Sequence, residues 1–587
     1  MERESGELQR SCLWLALISL AVYAGAMTFF KISTNDIWIH LKTGEYVLRH
    51  GWVPLTDPYS FVAAGRPYIA HEWLAGVLFY VVYAAGGVTG LIFFKAAILW
   101  AACALLVQTA RRLRARMSVV LPAFAAALYV ASARFLERPH IFSFLMTALY
   151  LWLFFRYRTG GRDRRWLWAI LPAHVLWTNL HGGHIQGVAL VAVLAAGEAF
   201  HFIRARFFGR GKENALPARD IVFLALLVPG CVLAALINPY GYRLLVFPFQ
   251  LAGSEVFMRT VFEWQPPYTP GFSGTTMFPA FLALVVAFLA AFFGAQRDRT
   301  RSGAGRESLG ELNAVFIAAL AMTSIALAVI RVQGPSGLWR PDILAFFLLF
   351  LFGLFGLFAI ANVRSVDFVQ AGLFALFFIL SLKHNRAVAD AALVIFVFLA
   401  ANASAWLDRR TAAAAGAPPW RDRSGRSNVV LGSAFLIAAA VCTAVFGYPF
   451  DFSGSIREKG FGIASNMPVR AVDFIARNRL TGNAFVSYTF AGLLIHRMTP
   501  DVMVNMDSRN DVYGEELYLE YSEALRDPAA MRRYLERYPI DFFLLSRDGL
   551  ASAVYDDLIS TGAWTPAYSD DQALVLVKRR TGPDGPP

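Results

Sequence analysis

Charge is what this chain has least of: Asp, Glu, Lys and Arg make up only 16% of its 587 residues. Soluble domains carry closer to about 25%, so a chain folded freely in water is excluded. Cysteine is nearly absent. The four present, Cys12, Cys103, Cys231 and Cys442, all lie inside apolar runs, where a thiol acts as a small hydrophobe and supplies neither a disulfide framework nor a zinc site. No internal repeat is visible, which counts against the paired halves of many secondary transporters. Acids are the scarcer charge, 41 against 54 Lys and Arg, leaving a net charge of +13.

What fills the chain instead is apolar. Hydrophobic residues make up 57%, 50 residues are Phe, and the mean hydropathy is +0.49, the composition of a polytopic membrane protein. Runs long enough to cross a bilayer fall near 12–30, 88–110, 118–133, 141–156, 166–181, 184–203, 221–237, 273–294, 311–331, 341–362, 366–382, 388–406 and 428–447. Basic residues gather in alternate connections, at 111–116, 156–165, 204–219, 297–306 and 409–426, as the positive-inside rule requires of cytoplasmic loops. The positive excess therefore encodes topology, and nucleic acid is not an expected partner. About thirteen spans put the N-terminus in the cytoplasm and the C-terminus outside, the expectation for a multi-pass membrane protein. The first run contains Ala24-Gly25-Ala26, which mimics a signal-peptide cleavage site; its length and the motif that follows favour a retained span.

Two segments are more than connections. Residues 31–87 are too long for a turn and carry the breakers Gly51-Trp52-Val53-Pro54, Asp57-Pro58 and Gly65-Arg66-Pro67, with 41–50 and 72–85 reading as short interfacial helices. Beyond residue 447 the charge density rises, and 484–488, 502–506 and 541–545 read as buried strands among helices at 471–479 and 527–538. The expected fold is an all-α polytopic bundle over 1–447, with a structured first outer loop at 31–87, followed by a soluble periplasmic α/β domain over 448–587.

Sorted by membrane face, the unusual polar residues fall on the outer side. Asp36, His40, Asp57, His71 and Glu72 lie in the first outer loop, and Arg134, Glu137, Arg138 and His140 flank the third and fourth spans. Asn179, His181 and His184 surround Gly182-Gly183; Glu263 and Trp264 follow the seventh span; Arg331, Arg340, Asp342, Lys383, His384 and Arg386 complete the set. Ionisable groups are costly at membrane depth, so a cluster on one side is a functional-site hypothesis, although single arginines also serve as headgroup anchors. His174, Thr178 and His181 are spaced to share one helix face, which favours a polar cavity. Asp36, Asp57, His71 and Glu72 offer oxygen and imidazole donors to a divalent cation. Their spacing matches no compact metal motif, so the metal is unknown and a cation is possible without being required.

Several blocks carry a family resemblance. Asn35-Asp36-Ile37-Trp38-Ile39-His40-Leu41-Lys42-Thr43-Gly44, Pro54-Leu55-Thr56-Asp57-Pro58-Tyr59-Ser60 and His71-Glu72-Trp73-Leu74 resemble bacterial polytopic proteins grouped with the GT-C glycosyltransferases. So do Arg138-Pro139-His140-Ile141-Phe142-Ser143, Trp177-Thr178-Asn179-Leu180-His181-Gly182-Gly183, Asn238-Pro239-Tyr240-Gly241 and Lys383-His384-Asn385-Arg386. The resemblance implies inverting transfer of a sugar from a polyprenyl-phosphate donor to an envelope glycan, lipid or protein acceptor on the periplasmic face. It implies an essential acid in the first outer loop, the position Asp36 matches. On that reading Asp36 is the base, Asp57 or Glu72 orients it, and Arg134, Arg138 and Arg386 clamp phosphate. His40, His71, His181, His184, Lys383 and His384 complete the expected substrate-binding set, with membrane lipids around it.

The C-terminal segment resembles the soluble part of oligosaccharyltransferase catalytic subunits, at Ser487-Tyr488-Thr489-Phe490-Ala491-Gly492 and Val504-Asn505-Met506-Asp507-Ser508-Arg509. That family's Trp-Trp-Asp run is missing, which removes its means of reading a peptide sequon. The domain is expected to cap the cavity or hold an acceptor through Asp507, Arg509 and Asp511, a patch that also reads as a salt-bridged turn. Two other classes compete with an enzyme: a catalytically inactive scaffold for envelope assembly, since a fold does not fix a function, and a transporter.

Overall fold

The computed structural model describes residues 2–208, 215–269, 272, 275–300, 341–363, 365–414, 423–446 and 457–579. The span expected at 311–331, together with Arg331 and Arg340, lies outside the described residues. Among the described residues, eight helices are long and apolar enough to cross a membrane: Trp73–Arg112, Met117–Arg134, His140–Thr159, His184–Phe207, Met277–Ala295, Leu344–Ala361, Ala387–Arg410 and Ser427–Val445. Arg10–Ala26 and Phe368–Lys383 are shorter apolar helices. The expected span at 166–181 is instead two pieces, Arg165–Trp168 and Ile170–Leu180, and that at 221–237 is the helix Ala218–Ala234. At 11 and 17 residues, these fall short of the ~20 that span hydrocarbon along the normal.

The helix Ala387–Ala414 is the bundle's axis, with Val388, Ala391, Val394, Val397 and Ala400 all buried. An all-round apolar helix of this kind has no face for solvent or lipid. The helix Arg423–Phe446 is peripheral, exposing Leu431, Phe435 and Val445 where lipid satisfies them.

The helix Asp36–His50 begins on Asp36 itself, five residues before the expected interfacial helix. Its left-handed C-cap, Gly51 at φ 71°, ends it, a conformation glycine adopts without Cβ strain. The run Trp73–Arg112 contains both the interfacial segment and the second span, divided at Gly87, whose φ of 57° and ψ of −152° are not helical. Asp36–His50 crosses Trp73–Arg112 at a glycine contact. A Cβ on Gly44 would lie 2.1 Å from the Gly76 carbonyl oxygen, and one on Gly76 would lie 2.8 Å from that of His40. Only two glycines permit this approach, and it sets His40 against Glu72.

The C-terminal domain is a five-stranded sheet in the order β2-β1-β3-β5-β4, from β1 Gly482–Val486, β2 Val502–Val504, β3 Phe542–Ser546, β4 Trp564–Ser569 and β5 Ala573–Lys578. β1 pairs parallel with β2 and β3, and β5 antiparallel with β3 and β4. β3 reads Phe-Phe-Leu-Leu and is buried on both faces, as a covered central strand requires. The strands expected at 484–488, 502–506 and 541–545 are β1 to β3; β4 and β5 were not expected. The first loop is stitched to this sheet. Tyr59 and Phe61 exchange backbone hydrogen bonds with Val504 (3.1 Å each), closing the β2 edge, and the Lys31 ammonium meets the Glu458 carboxylate at 2.8 Å.

Candidate functional site

A cavity of about 650 Å³ lies where the first loop, the bundle and the sheet domain meet. Asp36 enters it from the first turn of its helix, and its neighbour Asn35 fixes that turn. The Asn35 Oδ1 accepts the Gly492 N–H at 2.7 Å, and its Nδ2 donates to the Tyr488 carbonyl at 3.2 Å. A Cβ on Gly492 would lie 2.3 Å from the Asn35 carbonyl, so the sheet domain holds Asp36 by close backbone contact.

The Asp36 carboxylate forms an ion pair with Arg138 Nη2 at 2.8 Å. Arg138 Nη1 donates to Glu263 Oε1 at 2.6 Å, and Glu263 Oε2 lies 2.6 Å from Arg134 Nη1. The sequence Asp36, Arg138, Glu263, Arg134 is thus an alternating chain of charge along one wall. Burial alone would raise Glu263, but Arg134 and Arg138 outweigh it and hold the carboxyl well below its ordinary range. Burial likewise opposes charge on Arg138, and Asp36 with Glu263 more than restores it. The turn that carries both arginines is pinned from the C-terminal side, where Arg457 donates to the carbonyls of Ser132 (3.0 Å) and Ala133 (2.5 Å).

Arg386 reaches the same cavity and stacks over the Trp264 ring, 4.4 Å from its centroid. Burial is the main cause that lowers its pKa, with Arg134 adding to it. The turn carrying it is zipped to the Glu263 segment: Asn385 N–H donates to the Gln265 carbonyl at 2.8 Å, and His384 Nδ1–H to the Trp264 carbonyl at 2.9 Å. Among the described residues Arg386 makes no ion pair with a carboxylate.

Opposite stands Glu72, ringed by histidines. His40 Nε2 is 3.4 Å from Oε2, while His181 Nε2 and His71 Nε2 are 3.4 and 3.7 Å from Oε1. Because the Gly183 N–H donates to His181 Nδ1 at 3.1 Å, that nitrogen is an acceptor and the proton sits on Nε2, facing Glu72. Trp177 Nε1–H donates to Ser143 Oγ (2.8 Å), whose hydroxyl donates to His181 Nδ1 (2.6 Å), fixing the tautomer. Burial raises the Glu72 pKa and lowers that of His40 to about 4 and that of His181 well below the usual value, so these imidazoles are neutral hydrogen-bonding groups at pH 7.

No family model and no curated relative matches the chain. Among solved structures it is similar to the apo oligosaccharyltransferase of Archaeoglobus fulgidus, at a TM-score of 0.50 and 13% identity, covering 91% of this chain and 69% of that one. The same archaeal enzyme tethered to an acceptor peptide with the NVT sequon aligns at a TM-score of 0.49 and 12% identity, covering 97% and 74%. ArnT from Cupriavidus metallidurans bound to undecaprenyl phosphate aligns at 0.37 and 14%, covering 97% and 99%. The chain shares the fold of the archaeal oligosaccharyltransferase.

Within that fold, the structure gathers Asp36, His40, His71, Glu72, Arg134, Arg138, His181, His384 and Arg386 around one cavity. Three expected residues stand elsewhere. Asp57 is buried outside the cavity lining, where it accepts the N–H groups of Tyr59 (3.2 Å) and Ser60 (3.1 Å) and pairs with Arg509 at 2.7 Å. His184 is buried behind the wall against His174, ring centroids 5.7 Å apart. Lys383 is exposed and outside the lining. Asp57 is thereby spent on Arg509 and Asp36 on Arg138, so the four donors considered for a cation do not form one ligand set. Among the described residues no group of three His, Cys, Asp or Glu side chains is placed to hold a metal ion.

The lining also includes Ser143, which ends the Arg138 to Ser143 block, and Gln186 and Asp390, absent from the sequence reading. Gln186 Nε2 donates to Asp390 Oδ1 at 3.3 Å. An acid in the first turn of an otherwise apolar span was the signal for Asp390.

Proposed function

We propose that the protein is an integral-membrane glycosyltransferase that moves a sugar from a polyprenyl-phosphate carrier to an envelope acceptor at the periplasmic face of the bacterial inner membrane. The observation that carries this reading is the Asp36–Arg138–Glu263–Arg134 wall with Arg386 beside it, inside a GT-C fold. An acceptor hydroxyl attacks the anomeric carbon, the bond from that carbon to the phosphate oxygen breaks, the acceptor proton passes to Asp36, and the polyprenyl phosphate leaves. Arg386, with no carboxylate partner among the described residues, is the cation first open to the phosphate, and Arg138 and Arg134 stabilise its growing charge. As phosphate draws Arg138, its 2.8 Å hold on Asp36 loosens and the carboxylate is freed to face the acceptor hydroxyl. Glu72 and its neutral histidines orient the acceptor.

The test is transfer from radiolabelled polyprenyl-phosphate sugars to native envelope extract by purified protein in nanodiscs, with Asp36→Asn alongside and folding checked by thermal melting. Transfer by the wild type and a loss of at least about 10³-fold in the folded variant are expected for a base acting in the transition state. Silence of the folded wild type across the donor panel, or equal rates in both proteins, overturns the reading.

A further inference from the structure

The cavity has a wall that the transfer chemistry does not use. It is contributed by the sheet domain, through Tyr488 and the segment Ser508 to Asp511 that opens the helix Asn510–Ala524. Arg509 lines the same wall and anchors this segment: it pairs with Asp507 at 2.6 Å and with Asp57 at 2.7 Å, and lies 4.8 and 4.7 Å from the ring centroids of Tyr59 and Tyr68. The next two residues are different. Tyr488 Oη donates to Asn510 Oδ1 at 3.0 Å, which turns the amide so that its NH₂ remains a donor. Asp511 lines the cavity, and among the described residues its carboxylate makes no ion pair and no hydrogen bond to another side chain. Burial is the largest cause that raises its pKa, to about 6.

An aspartate in the first turn of a helix is ordinarily explained by the helix dipole, and that role leaves the side chain in water. Asp511 instead faces the cavity, and among the described residues no cation forms an ion pair with it. The nearby Arg509 offsets part of the cost of its burial and does not cancel it, a cost that folding alone does not require. The wall therefore combines an amide donor, a carboxylate acceptor and an aromatic ring within two consecutive residues and one tyrosine. That set matches a sugar, whose adjacent hydroxyls both donate and accept and whose C–H face packs on a ring. It does not match an extended peptide. A peptide held by strand addition needs a free strand edge for main-chain pairing, and the β2 edge on this side is already occupied by Tyr59 and Phe61.

We infer that the Tyr488–Asn510–Asp511 wall is the acceptor subsite and that the acceptor is a carbohydrate hydroxyl, not a peptide side chain. This rests on the transferase reading for its role as acceptor, but the binding itself is measurable without turnover. Arginines on the bundle side receive the anionic donor, and the acid on the domain side receives the uncharged glycan, so the two substrates are sorted by charge across one cavity.

The experiment is saturation-transfer NMR on the full chain in nanodiscs, with methyl glycosides of common hexose and N-acetylhexosamine disaccharides as one probe set and capped Asn-X-Thr tripeptides as the other. Wild type, Asp511→Asn and the exposed control Asp548→Asn are compared, each checked by thermal melting. Saccharide signal in the wild type and control, at least about tenfold weaker binding in Asp511→Asn from loss of a charged hydrogen bond, and no peptide signal are expected. Binding of peptides in place of saccharides, no saccharide binding at all, or saccharide binding unchanged in Asp511→Asn overturns the inference. Saccharide binding lost in Asp511→Asn without donor turnover by the wild type removes the transferase reading and leaves a carbohydrate subsite. Turnover onto peptides does the reverse.

Discussion

Arg509 gives the sharpest stability prediction, because it neutralises two fully buried acids from two parts of the chain. Asp57 comes from the first loop and Asp507 from the sheet domain, both with side chains 0% exposed, and the guanidinium lies 2.7 and 2.6 Å from them. Its Nε adds a second bond to Asp507 at 2.9 Å, and Tyr513 Oη donates to the same carboxylate at 2.7 Å. Arg509→Met keeps most of the volume and removes the charge. Breaking a buried ion pair costs about 3–5 kcal/mol because the partner is left charged in a dry site. The lost stacking on Tyr59 and Tyr68 adds about 1–2 kcal/mol. A total of about 4–7 kcal/mol is a large share of any domain's stability and corresponds to a fall in Tm of roughly 10–25 °C for a unit of this size. The assay is thermal unfolding in detergent by intrinsic fluorescence. If stranded carboxylates are the cause, adding Asp57→Asn and Asp507→Asn to Arg509→Met restores at least half of the loss. A single variant that loses less than about 1 kcal/mol, well under the cost of a broken buried pair, or a triple variant no better than the single, refutes the reasoning.

Three further outcomes follow from the geometry. Gly44→Ala places a Cβ 2.1 Å from the Gly76 carbonyl oxygen; the helices must part, costing about 1–3 kcal/mol in overpacking and on the order of 10²-fold in transfer as His40 and Glu72 separate, read by melting and by rate. Asp511 has its pKa raised to about 6 from 3.8, so its contribution to stability is full below the unfolded value and is lost as the pH rises through 6. The wild type should shed up to about 3 kcal/mol of that contribution between pH 4 and 7, and Asp511→Asn should flatten that part of the Tm against pH curve. Glu263→Gln leaves Arg134 without its carboxylate partner at 2.6 Å and is expected to destabilise the folded state by about 2–4 kcal/mol. It should also bind anions better, so that added pyrophosphate raises its Tm more than that of the wild type; equal shifts in the two proteins would count against an arginine wall open to phosphate.

What the sequence made legible is what the bilayer dictates. Lipid forces a spanning segment to be apolar and helical throughout, so the runs at 118–133, 141–156, 388–406 and 428–447 reappear as helices with little change. Polar residues survive near such spans only where something satisfies them, which is why Asp36, Glu72, Arg138 and Arg386 could be singled out and do meet. The pairing was not legible. Glu263 follows one span and Arg134 another, and nothing local joins them; their 2.6 Å contact depends on a loop that docks through backbone bonds from Asn385 and Arg386 to Gln265 and Glu263, which no side-chain pattern encodes.

Asp57 illustrates the opposite error. Its block, Pro54-Leu55-Thr56-Asp57-Pro58-Tyr59-Ser60, reads as chemistry because an acid lies beside breakers in a loop rich in aromatics. The same features suit an Asx turn: Asp57 accepts the N–H groups of Tyr59 and Ser60, as aspartate does at turn starts. It also accepts the Ser60 hydroxyl and pairs electrostatically with Arg509. The acid that does face the cavity from the far side, Asp511, sits in Ser508-Arg509-Asn510-Asp511, where a helix N-terminus is the cheaper explanation. Two acids in similar local settings thus divide the work, and what separates them is the cation: Arg509 forms ion pairs with Asp57 and Asp507 and acts on Asp511 only without direct contact. A variant that moved the cation, Asn510→Arg, would place a guanidinium beside Asp511 and is expected to abolish saccharide binding at the wall while raising the Tm. Retained binding in that variant would mean that Asp511 is not the group the sugar meets.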